Sequence, residues 1–342
     1  MGDPGSYAKV VPLMRYLKSR LLGPKVRDLS PPLSEAVAVV RDSIYSKAAE
    51  AKDLGSLERA LSQLYFSMVD EAYGLSPPEA ARIASAFGRV VELEDLMIVA
   101  RALAEGEQLP QWLPSSEWRM ASTQAVLQEL SVSPTITRLP ELVRDRDLRK
   151  AVEGALEAYS ELRQGEAFTF YSLVGSSLML RTASEGLDKQ DALAVENVVC
   201  PLVEERAALG LLEAWALRLN PKTFMRAIEG PRVCGVDWDF VAGAYERGME
   251  GDVAALAVDA SAAFRYVKLE GRSLWDLMLS VRRSGRSAAV RQANAAFEGY
   301  PFSPAIIAGG LTLLMLEMDD VRTALGSIIL GLKQDEFSHS VL

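Results

Sequence analysis

The chain has 342 residues, 49% of them hydrophobic and 24% charged, a core-forming composition long enough for two or three compact units. It carries one histidine, His339, and two cysteines, Cys200 and Cys234, with no Cys-x-x-Cys or His-x-x-x-His pair, which excludes a structural zinc site and a histidine-based triad. With 37 basic against 46 acidic residues the net charge is −9, opposite to the basic surface that phosphate binding needs, so no nucleic-acid partner is expected.

From the N-terminus, the first 22 residues are broken by Pro4 and Pro12 and carry Lys9, Arg15, Lys18 and Arg20 among their apolar positions, so they do not read as a signal peptide. Residues 34–51 read as helical. Leu57, Leu61, Leu64, Tyr65 and Met68 then fall on one helical face, with Ser56 as N-cap and Gly74 as C-cap. The next helix is expected to start near Ser76, with Pro77 in its first turn, and to end at Gly106 ahead of Pro110. Further helices are expected over 117–130, 148–163, 191–219, 252–269 and 273–282, and a last long one over 304–332. The longest uncharged stretch, 299–316, is interrupted by Pro301, Pro304 and the Gly309-Gly310 pair and does not read as a membrane span. No alternation of period two is sustained and no Asn-Gly or Asp-Gly hairpin signal occurs, so the expected class is all-α. Joints bearing Pro and Gly at 109–116, 219–223 and 229–235 divide the chain near 115 and 230, giving units 1–115, 116–230 and 231–342. The two cysteines, 34 apart in apolar surroundings, read as buried small hydrophobes, with a disulfide left open.

Those thirds repeat. The segments from Glu92, ELEDLMIVARALAEG, and from Glu317, EMDDVRTALGSIILG, align without gaps, each with Glu-x-x-Asp (Glu92 and Asp95; Glu317 and Asp320) and a closing glycine (Gly106; Gly331). A third copy midway opens at Glu204 or Glu205, in EERAALGLLEAWALRLN, where the aspartate is missing.

With these residues in view, the chain resembles the C/d subunit family of archaeal-type and vacuolar-type rotary ATPases. The family's recurrent helix, Glu-x-x-Asn followed by Leu, a basic residue, a later Arg and a glycine, is matched by Glu92, Asp95, Leu96, Arg101 and Gly106, and by Glu317, Asp320, Val321, Arg322 and Gly331. Asp stands for Asn at 95 and 320, and Gly326 stands where the last copy has Arg. The Pro301-Phe302-Ser303-Pro304 run before the last helix is similar to the family's, as are Leu57, Glu58, Ala60, Leu61, Tyr65 and Phe66 in the first third. Tyr7 followed by a basic helix ending in Leu21 and Leu22 also fits. The resemblance implies three similar helical units around a pseudo-threefold axis, forming a funnel with a central socket. It implies partners as well: the central-stalk subunits on one side and the membrane-embedded proteolipid ring on the other. The chain would then sit peripherally on the cytoplasmic face of the cell membrane, touching the membrane only through the complex. No catalytic residue, cofactor or metal is implied, and the chain has no Gly-x-x-x-x-Gly-Lys-Ser/Thr phosphate loop.

Glu92 and Asp95 share a helical face, with Arg101 six or nine residues on. A motif repeated in each copy serves the shared packing ahead of a partner surface, because one asymmetric axle cannot meet three copies equivalently. Arg282, Arg283, Arg286 and Arg291 form a basic cluster with no acid between Asp276 and Glu298, suited equally to an acidic partner, to anionic headgroups or to a solvated face. The 145–150 run, DRDLRK, reads as solvated surface, and the tryptophans, Trp112 excepted, as core. Two other functions stand beside the coupling role: an adaptor built as an open helical solenoid, and a magnesium-dependent all-α enzyme of the isoprenoid-synthase type. For the enzyme, Asp319-Asp320 is the nearest acidic pair, but it lacks a third acid at 321–323.

Overall fold

The computed structural model describes residues 4–29, 32–229, 234–249 and 251–332; His339 lies outside them. Among the described residues every regular element is helical. In chain order these are α1 (Val10–Arg20), α2 (Leu33–Val40), α3 (Leu54–Leu75), α4 (Pro78–Glu105), α5 (Thr123–Val132), α6 (Leu139–Leu142) and α7 (Arg146–Leu162). They continue with α8 (Glu166–Arg181), α9 (Lys189–Ala216), α10 (Pro221–Ile228), α11 (Trp238–Gly248), α12 (Val253–Ser261), α13 (Leu274–Glu298) and α14 (Ala305–Ile329).

Local chemistry sets the ends. Asp53 caps α3 and Ser273 caps α13, each in a reciprocal capping box, with Ser56 and Asp276 at the third helical position. Asp145, Asp188, Asn220, Asp237 and Asp252 cap α7, α9, α10, α11 and α12. Gly106 ends α4 at φ 70°, a left-handed conformation that glycine adopts without a Cβ clash. The cap of α3 is thus three residues earlier than Ser56, and Gly74 lies inside the helix.

Six helices carry the architecture. α3 packs on α4, α8 on α9 and α13 on α14, and each pair meets the next: α4 lies against α8, α9 against α13, and α14 returns to α3. α14 also touches α4 and α9, so it sits toward the middle, and residues 305–318 are buried all round. α1 closes over α14 and α3. The approach is close because Gly310 has no side chain; a Cβ there would lie 2.6 Å from the Met14 sulfur. No helix of the described residues is long and apolar enough to cross a membrane.

Several expectations need correction. The helix expected over 34–51 stops at Val40 and gives way to turns, and that over 252–269 stops at Ser261. The one expected over 273–282 runs on to Glu298, because Gly285, Ala288, Ala289 and Ala293 face the core beyond the arginines. α8, α10 and α11 have no sequence counterpart. Cys200 is buried as expected, yet it is bonded to Cys234: α10 packs on α8 and α8 on α9, and Cys234 lies at the middle of α9. Trp275 is 73% exposed, not core. The 145–150 run is only partly solvated: Asp145 caps α7 and pairs with Arg89, Leu148 is buried, and Arg149 donates to the Val143 carbonyl.

Candidate functional site

Three glutamates, one on each long helix, do the same work. On α4, Glu92 accepts hydrogen bonds from the N–H (2.6 Å) and hydroxyl (2.7 Å) of Ser122. On α9, Glu204 accepts from the N–H groups of Arg265 (2.8 Å) and Tyr266 (2.6 Å). On α14, Glu317 accepts from Leu22 (2.7 Å) and Gly23 (2.6 Å). All three are buried, and each holds the backbone of a segment outside its own helix pair. Glu204, not Glu205, is therefore the middle counterpart. Asp95 adds a fourth such contact, accepting from the Ser115 N–H at 2.6 Å. Arg101 does not join this group: it is half exposed and pairs with Glu105 at 3.0 Å.

Burial raises the pKa of each of these carboxylates, and the donated hydrogen bonds oppose the rise only in part. Asp95 and Glu204 are each pushed up to about 7. A carboxyl whose folded pKa lies above its unfolded value takes up a proton on folding. Its favourable contribution is complete below the unfolded pKa and is lost as pH rises toward the folded value. Stability is accordingly expected to fall between about pH 5 and about pH 8, by up to about 3 kcal/mol for Glu204. Urea midpoints at the two pH values test this, and a higher midpoint at the alkaline end would contradict it.

Two residues beyond each glutamate stands a second charged set: Glu94, Arg206 and Asp319. Arg206 bridges α9 to α4, 2.7 Å from Glu94. Burial works against its charge, but the carboxylates of Glu94, Glu205 and Asp319 together outweigh this and its pKa is raised. Asp319 is 52% exposed, yet surrounding protein raises its pKa against the pull of Arg322, Arg286 and Arg206. Glu205, pushed up to about 7 by burial, joins the same charged cluster, with Arg206, Arg282, Arg286 and Asp319 in electrostatic reach. Gly285 admits it, since a Cβ there would lie 2.8 Å from the Glu205 Cβ. Arg322 ties Asp319 to Glu58 of α3, 2.8 Å away, so all three helix pairs contribute charge.

The structure divides the expected basic cluster. Arg286 pairs with Asp320 and donates to the Leu316 carbonyl at 2.7 Å, while Arg282, Arg283 and Arg291 are exposed, Arg282 within electrostatic reach of Glu205. Asp319 and Asp320 are both engaged by arginines, and no group of acids, His or Cys able to hold a metal occurs among the described residues. Glu94 and Arg206 were missed in sequence, although a charge two residues after each repeated glutamate, inside an otherwise apolar helix, was a usable signal. What the cluster offers chemically is fixed charge of both signs, suited to a partner with a complementary pattern. No family model and no curated protein matches the chain.

Proposed function

We propose that the chain is a non-catalytic coupling subunit of an archaeal-type or vacuolar-type rotary ATPase, joining the central stalk to the proteolipid ring and passing torque between them. The observation that carries this reading is closure: three helix pairs meet in a circuit, α14 returning to α3, and charged side chains from every pair meet between them. The like-placed glutamates support three similar units, 1–115, 116–230 and 231–342, about a pseudo-threefold axis. In this reading the charged cluster belongs to the funnel's socket and receives the foot of the stalk. Its partner on the other side is the ring, which holds the chain on the cytoplasmic face of the membrane. The return of α14 to α3 also speaks against an open-solenoid adaptor.

Torque transfer requires extensive, well-packed contacts with both neighbours, and lasting interfaces of this kind bury more than about 2,000 Å². Reconstitution with purified stalk and ring subunits is expected to retain the chain on both. Arg282→Glu, at an exposed position beside the charged cluster, is expected to weaken stalk binding about tenfold while leaving ring binding intact. Failure to bind either component at micromolar concentration would overturn the assignment.

A further inference from the structure

A cavity of about 400 Å³ lies between α7, α8 and α10 and shares none of the residues of the charged cluster. Its volume falls in the range of small-molecule sites. The floor is apolar, formed by Ala151, Gly154, Leu178 and Met179. Tyr171 lies across it, close enough to Gly154 that a Cβ there would be 2.5 Å from the ring. The Tyr171 side chain is only 6% exposed, and its hydroxyl makes no hydrogen bond with any described residue. Burial pushes that phenol up to about 12, so it stays protonated and can both donate and accept.

Five carboxylates line the cavity, Asp147, Glu153, Glu157, Glu185 and Glu229, against two cations, Lys150 and Arg226. Arg226 is taken by Glu157 at 3.1 Å, and Glu185 is shared with Arg82 at 3.6 Å. Asp147 and Glu153 form no ion pair among the described residues. These acids do not converge as metal ligands would. Charge spread around an apolar floor, with the Tyr171 hydroxyl making no hydrogen bond to a described residue, instead matches an extended cation with carbon between its charges.

We propose that this cavity binds an aliphatic polyamine, its methylenes on the Ala151–Leu178–Met179 floor, its ammonium groups at Asp147 and Glu153, and one amine hydrogen-bonded to the Tyr171 hydroxyl. The proposal stands independently of the coupling role. Titration calorimetry of the full chain with spermidine at low salt is expected to show saturable one-to-one binding. Glu153→Gln is expected to weaken it about tenfold and Tyr171→Phe by a smaller factor. Ala151→Leu, which fills the floor without touching a charge, is expected to abolish binding while stalk and ring retention persist. Thermal unfolding of each variant reports that it is folded. Magnesium and hexylamine, one compact and one singly charged, are expected to compete poorly. Absence of spermidine binding, unchanged binding in folded Ala151→Leu, or equal competition by magnesium would overturn the proposal.

Discussion

Glu204→Ala is expected to lower the stability of the chain by about 3–5 kcal/mol, among the largest effects of any single substitution in it. The Glu204 side chain is fully buried, and one of its oxygens accepts the N–H groups of both Arg265 and Tyr266. Removing it strips two donors of a partly buried segment of their acceptor, at about 1–3 kcal/mol each, and leaves a void besides. Glu204→Gln separates charge from geometry. Its carbonyl still accepts both hydrogen bonds and no charge is buried, but its amino group takes the place of the oxygen that has no hydrogen-bond partner. These opposing changes are expected to leave stability at about pH 8 within about 1 kcal/mol of the parent. If Glu92 and Glu317 do the same work, their alanine variants should show losses of similar size. An alanine variant at 204 with an unchanged urea midpoint would show that the 265–266 segment does not depend on this carboxylate.

How much of this was legible in sequence depends on how each helix is buried. α3 has one wet face, so Leu57, Leu61 and Tyr65 recur at helical spacing and the element is plain to read. α8 is enclosed by α4, α7 and α9, and Phe168, Phe170, Tyr171 and Val174 point inward on several sides. Such a helix has no polar face to set a period, and it went unread. α13 was cut short at Arg282 because the arginines and Gly285 resemble a break, whereas the alanines beyond them carry the packing. The repeated glutamates were visible as a pattern, but their partners were not: Leu22 and Glu317 are 295 residues apart, and Ser122 lies beyond a joint. Long-range closure is a property of the fold, and only the acids that serve it leave a local trace.

Breaking the Cys200–Cys234 bond is expected to cost about 3–4 kcal/mol, the loop-closure entropy for a link spanning 34 residues. Cys200 is buried in the middle of α9, beside Pro201, which cannot donate the backbone hydrogen bond of a helix interior, and one turn before Glu204. The staple therefore holds Cys234 to the stretch of α9 that also carries the buried glutamate. Reduction is expected to lower the urea midpoint and to speed amide exchange in α10 and α11, with far smaller changes in α3 and α4, which lie outside the closed loop. The double variant Cys200→Ala, Cys234→Ala should reproduce the reduced chain. Mass spectrometry of the alkylated native chain supplies the decisive check, since free thiols under non-reducing conditions would refute the bond. The bond also bears on the proposed coupling role. A disulfide at the cytoplasmic face is at odds with a reducing cytosol, and intracellular proteins rich in disulfides are characteristic of hyperthermophiles. Full retention of stalk and ring by the reduced chain at moderate temperature, together with early loss on heating, would mark the staple as a device for stability and leave torque transfer to the helices.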